Sequence, residues 1–215
     1  MNILTDQIIK NEINELQKNF SSHSKSILET YNLCKSKIHT WEFSIGITKD
    51  IIPYEWLVPS IIKTNGRTLN TVTKSNSDSK NLVSYGLDSN GKLILSLSRP
   101  HKDLQTFGEK ARIIDGNFIL AAHIYTSHPQ KNRLTSICHS LQRDEYIYYI
   151  SITPPYDWFV RVDKLTNNKI SNSQMFATSW FKQINYDFSY DDDGNLSKIT
   201  IGDHIHWDAS MIQTT

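Results

Sequence analysis

Two histidines of this chain, His204 and His206, stand two apart inside Gly202-Asp203-His204-Ile205-His206-Trp207-Asp208, and they are the side chains best spaced for chemistry. On a strand, positions i and i+2 share a face, so a His-x-His pair can grip one ion. A catalytic zinc needs three protein ligands, which makes Asp208 or a further histidine the missing third. A metal-dependent hydrolase built on this pair is therefore one reading. The other follows from phase. Ile199, Ile201, Ile205 and Trp207 occupy the odd positions and form the apolar side of a strand. His204 and His206 then fall on the wet side with Thr200 and Asp208. That phase is the stronger signal, so no metal and no cofactor are expected, with His204 and His206 kept as the alternative.

Other candidates for catalysis are weaker. Ser136-Ile137-Cys138-His139 sets a thiol beside an imidazole, but neighbours on a strand point to opposite faces and do not form an ion pair. His101-Lys102-Asp103 reads as a polar turn after Pro100. The chain has no GxxxxGK[ST] loop, no GxGxxG opening a helix, no HExxH and no GxSxG elbow. Its two cysteines, Cys34 and Cys138, are far apart and form no CxxC pair, which suits reduced, buried thiols.

Aromatic residues are the remaining signal. Tyr146, Tyr148, Tyr149, Tyr156, Trp158 and Phe159 form one cluster, and Trp180, Phe181, Tyr186, Phe188 and Tyr190 another. Tyr and Trp combine large area with a polar tip, which suits a core rim or a protein interface. Most of them are expected in the core. Within the Pro154-Pro155-Tyr156-Asp157-Trp158 insert, Tyr156, Asp157 and Trp158 are the candidates for outward presentation, because prolines stiffen a turn. Asp191, Asp192 and Asp193 form an acidic tip that can meet a basic partner or simply be solvated.

Composition sets limits on the partner. The chain has 215 residues, 38% hydrophobic and 21% charged, enough for a core in a single domain. Twenty-three Lys and Arg against 22 Asp and Glu leave a net charge of +1, so nucleic acid is not the expected partner. The first residues lack the basic and apolar regions of a signal peptide, and no apolar run approaches the roughly 20 residues of a spanning helix. The expectation is a soluble cytoplasmic protein.

The elements that must position these residues follow from periodicity. Ile9, Ile13, Leu16 and Phe20, then Ile27, Tyr31, Cys34 and Ile38, repeat at three- and four-residue spacing. That stripe predicts one long helix, or a pair broken near Ser21-Ser22-His23-Ser24, over about residues 5–38. Asp6 or Thr5 can cap its start. Trp41 to Thr48 alternates and predicts a strand. The stretch 51–62, with Pro53 and Pro59, fits an edge strand or irregular segment. The run 73–80 is a polar loop. From residue 81 onward the chain reads as strands and tight turns, with hairpins at 81–98, 113–125, 146–162 and 183–207. Residues 101–110 and 131–143 read as helical or irregular. No βαβ rhythm appears, so the fold class is α+β. A helical element over 1–40 packs on a largely antiparallel, meandering β-rich body over 41–215.

Two hairpins are alike. Tyr85-Gly86-Leu87-Asp88-Ser89-Asn90-Gly91-Lys92-Leu93 and Phe188-Ser189-Tyr190-Asp191-Asp192-Asp193-Gly194-Asn195-Leu196 both place Asp three before Gly and Leu two after. Turn chemistry accounts for the pattern, with Asp and Asn bonding the turn and Gly supplying positive φ. Such hairpins also resemble those of the immunity proteins encoded beside bacterial polymorphic toxins. The resemblance covers a small part of the chain and transfers no functional residue. It implies a non-enzymatic protein whose partner is a toxin domain, neutralised by occlusion.

Overall fold

The computed structural model describes residues 3, 5–49, 66–71, 81–98, 108–125, 127–155 and 157–212. The stretch 51–62, the loop 73–80, His101-Lys102-Asp103 and Tyr156 lie outside them. The class is α+β: one long N-terminal helix packed on a thirteen-stranded sheet in which every described pairing is antiparallel. By compactness the chain gathers into two units, residues 1–16 with 139–215, and residues 17–138. Among the described residues no helix is long and apolar enough to cross a membrane.

The helix α1 (Gln7–Ser36) runs unbroken through the serines at 21–24. Asp6 caps it, its Oδ1 accepting the amides of Ile8 at 2.8 Å and Ile9 at 3.3 Å. Serine competition is absorbed locally, because the Ser26 hydroxyl donates back to the Ser22 carbonyl at 3.2 Å and leaves the ladder intact. The predicted stripe faces inward at Ile9, Leu16, Ile27, Tyr31 and Cys34, all buried.

Residues 17–138 hold β1 (Thr40–Ile45), β2 (Arg67–Leu69), β3 (Leu82–Leu87), β4 (Leu93–Ser98), β5 (Glu109–Asp115) and β6 (Phe118–Ile124), with the start of β7 (Arg133–Arg143). Their order is β2-β1-β3-β4-β5-β6-β7. Here the helix packs by contact of named groups. The Cys34 thiol donates to the Ile94 carbonyl at 3.4 Å, and the His23 ring lies 5.5 Å from that of Phe118. Ile38 approaches so closely that a Cβ at Gly86 would run into its side chain. Burial pushes the Cys34 thiol up to about 11, which favours its protonated form.

Residues 139–215 hold the rest of β7, then β8 (Tyr146–Thr153), β9 (Asp157–Thr166), β10 (Lys169–Ala177), β11 (Ile184–Tyr190), β12 (Leu196–Ile201) and β13 (His204–Asp208), each paired with the next. Even positions of β9 share their face with Tyr148 and Ile150 across the pair, and Trp158 on that face meets the first turns of α1. Odd positions carry Arg161 and Asp163, only 2% and 1% exposed, with the Arg161 Nε donating to Asp163 Oδ1 at 2.7 Å. Two opposite charges at i and i+2 satisfy each other where water is excluded, and either one alone would be costly there.

Two expectations are corrected, for β7 and for residues 195–207, and one hairpin, β9–β10, adds to those expected. Residues 133–143, read as helical or irregular, form the eleven-residue strand β7. Ile137 and Cys138 are adjacent and both fully buried, so the strand is covered on both faces and its alternation disappears from the sequence. The β9–β10 hairpin turns on Asn167 and Asn168, both at positive φ as a two-residue hairpin loop demands, with Thr166 opposite Lys169. Finally, residues 195–207 are not one strand. Gly202 at φ 55 and Asp203 reverse the chain, and Ile201 pairs with His204.

Candidate functional site

In a meander, alternate connections lie at the same end. Within residues 139–215, the β8–β9 turn, the β10–β11 loop at 178–183 and the β12–β13 turn share one end. The turns at 144–145, 167–168 and 191–195 share the other. The structure therefore separates the expected binding residues. Asp157 and Trp158 stand at the first end, while Asp191, Asp192 and Asp193 stand at the second.

The first end is aromatic and tightly braced. The Thr178 hydroxyl donates to Asp157 Oδ1 at 3.0 Å, and the Thr178 amide donates to the Trp158 carbonyl at 3.1 Å. These bonds tie the β10–β11 loop to the start of β9. Asp157 is thus spent on holding the loop. Trp158 is half-buried, its ring 5.5 Å from that of Phe176, and it lines an apolar groove of about 360 Å³ with Ile3, Ile9 and Ile13. Trp180 packs edge-on against Phe159, 6.0 Å between centroids. The next ring, Phe181, is fully exposed. Gln183 anchors the far side of the loop. Its Oε1 accepts the Ile3 amide at 3.1 Å while its Nε2 donates to Asn185 Oδ1 at 2.8 Å.

Trp180 and Phe181 belong to an aromatic cluster visible in the sequence, but nothing in their spacing singles them out. The usable signal is local: Thr178-Ser179-Trp180-Phe181-Lys182-Gln183 interrupts the alternation on both sides with small and polar residues around two rings. Such a break marks a loop, and rings in a loop are exposed unless something folds over them.

The second end is acidic and built of turns. The Asn195 amide donates to Asp191 Oδ1 at 2.7 Å, and the Gly194 amide donates to the Asp191 carbonyl at 2.9 Å. Lys169 reaches over the Tyr190 ring, 5.1 Å from its centroid, and donates to the Gly194 carbonyl at 2.9 Å. Asp191 is therefore part of the turn, whereas Asp192 and Asp193 are exposed and make no bond among the described residues.

The histidines are exposed, as the strand-phase reading expects, but the phase around them is not the one expected. Reversal at Gly202 resets the parity, and a register shift in the β12–β13 pairing leaves His206 without an opposite residue. Ile205, expected on the buried side, is 52% exposed. His204 and His206 are both exposed, and the His206 ring meets Tyr186 edge-on at 5.2 Å. Trp207 lies opposite the fully buried Ile199, which fixes the strand. Asp208, the suggested third ligand, is already engaged. The Ser210 hydroxyl donates to its Oδ1 at 2.7 Å and the Ser210 amide at 2.9 Å, and these bonds pull its carboxyl below the usual range. Among the described residues no group of three or more His, Cys, Asp and Glu is arranged to hold a metal ion. His139, beside Cys138 in sequence, instead shares a 2.8 Å contact between its Nδ1 and Glu12 Oε2.

Comparison of the chain with protein-family models, curated proteins and solved structures finds no match.

Proposed function

We propose that the chain is a cytoplasmic binding protein that recognises a protein partner through the aromatic end of the β8–β13 block. Its role is that of an immunity protein, neutralising a toxin domain by covering it. The observation that carries the reading is Phe181. A fully exposed phenylalanine ring leaves about 2 kcal/mol of burial unrealised in the isolated chain. A partner that covers the ring recovers it. Trp180 precedes it in the same loop and Trp158 stands at the start of the strand to which that loop is tied, and large rings at a braced loop are the residue types that dominate protein interfaces. Occlusion needs shape and anchors but no catalytic group. The paired Asp-x-x-Gly hairpins support the immunity class through their resemblance to those of that family.

The test is co-expression with a toxin-domain protein encoded beside this chain. Co-elution of the two products and rescue of growth are expected. Phe181→Ala should weaken the complex at least tenfold while leaving the thermal midpoint in place. Failure of the two products to associate, or a complex indifferent to Phe181, would overturn the reading.

A further inference from the structure

We infer that the sheet face opposite α1, within residues 17–138, binds a phosphate group at Lys110 and Arg112, independently of the binding role proposed above. Strand register builds the site. Directly opposed residues of antiparallel neighbours share a face, so Tyr85, Ser96, Arg112 and Ala121 form one row across β3 to β6. Val83, Ser98, Lys110 and His123 form the next. Lys110 and Arg112 are thus neighbours on β5, each with a serine across from it on β4. Ser96 is 7% exposed, while Ser98, Lys110 and Arg112 are half-buried and reach solvent.

Charge is sorted between the two faces. The helix covers the other one, where Ile38 packs on Gly86, His23 on Phe118, and the Tyr31 hydroxyl bonds Glu109. The acids of β5, Glu109 and Asp115, alternate with its cations and fall on that helix side. They keep their charge, but the sheet stands between them and the cations. On β1 and β3 to β6 the register puts one acid on the cationic face, Glu42, three strands from Arg112. Lys49 matches it at 3.0 Å. Among the described residues neither Lys110 nor Arg112 meets an acid. Arg112 supplies the second observation. Its Nε is buried without a hydrogen-bond partner among the described residues, and its Nη1 donates to the Ala111 carbonyl at a long 3.5 Å. A guanidinium presents a planar fork of donors, and a buried donor left unbonded is costly. An oxyanion before the fork supplies the acceptor. Adjacent cations flanked by hydroxyls favour phosphate, which has more charge and more oxygens than a carboxylate.

Titration of the full chain with inorganic phosphate at constant ionic strength tests this, followed through the arginine Nε–H signals. One signal should move saturably, and it should be the one missing from Arg112→Lys. Phosphate should bind about tenfold tighter than acetate. Arg112→Gln and, separately, Lys110→Gln should each weaken phosphate about tenfold, with a thermal midpoint that confirms folded protein. Lys110 is partly exposed, so its variant carries the test if Arg112→Gln does not fold. Glycerol phosphate separates the sources of the group. Binding as tight as phosphate assigns a phosphomonoester, exclusion assigns the free ion, and either supports the site. No saturable shift, a shift at another arginine, equal affinity for acetate, or full affinity in Lys110→Gln would overturn the inference.

Discussion

The two ends of the β8–β13 block are made from one sheet and spend their side chains differently. At the acidic end, folding consumes what is there. Asp191 closes its own turn, Lys169 caps the Gly194 carbonyl, and Asn167 and Asn168 supply the positive φ of theirs. What remains, Asp192 and Asp193, is well hydrated and gains little from a partner. At the aromatic end the polar groups are consumed in bracing, and a large apolar ring is left in water. Folding alone gives no reason for Phe181 to be where it is. Surface that the fold does not need is the better guide to function than surface that is merely charged.

The largest test of this comparison removes the centre on which both ends depend. Asp163→Asn leaves Arg161 buried without its counter-charge and should cost about 3–5 kcal/mol in urea unfolding. A smaller loss would mean that water reaches the pair. Next, Trp158→Ala should destabilise by about 2 kcal/mol, half the cost of a fully buried tryptophan, since its ring is half-buried against Phe176. Phe181→Ala, at the same end, should leave the urea midpoint unmoved. If the two variants lose equal stability, Phe181 is a packing residue and the contrast between the ends fails. At the acidic end, Asp191→Ala breaks the bond to the Asn195 amide and should cost about 1 kcal/mol. The smallest effect is expected from Asp192→Asn with Asp193→Asn. Neither the midpoint nor partner binding should change, and weakened binding there would move the interface to the acidic end.

The two Asp-x-x-Gly hairpins show how much a few neighbouring residues can specify. Asp88 and Asp191 share the bond that closes the turn. Each Oδ1 accepts the amide four residues on, from Lys92 at 2.9 Å and from Asn195 at 2.7 Å. Gly91 and Gly194 carry the positive φ, at 75 and 81 degrees, while Asn90 and Asp193 do not. Even the register shifts agree, with Leu87 opposite Leu93 and Tyr190 opposite Leu196. Short-range chemistry is repeated in sequence because it is complete within a few residues. Asn167-Asn168 and Gly202-Asp203 are turns of the same local kind. At Gly202-Asp203 the signal is masked by Ile199, Ile201, Ile205 and Trp207 on either side, which favour one continuous strand.

Sequence by itself determined the helical stripe over about residues 5–38, with Asp6 or Thr5 as its cap, the antiparallel class and the turn-building roles of Asp88 and Asp191. Each depends on contacts within about one turn of the chain or on a single period. Only the tertiary structure decided that β7 is a strand, since burial on both faces erases the alternation that would announce it. It alone decided that Arg161 and Asp163 face inward as a pair, and that the expected binding residues divide between opposite ends. It alone left Phe181 uncovered at the aromatic end. Exposure is a property of what lies across from a side chain in space, and no local pattern encodes it.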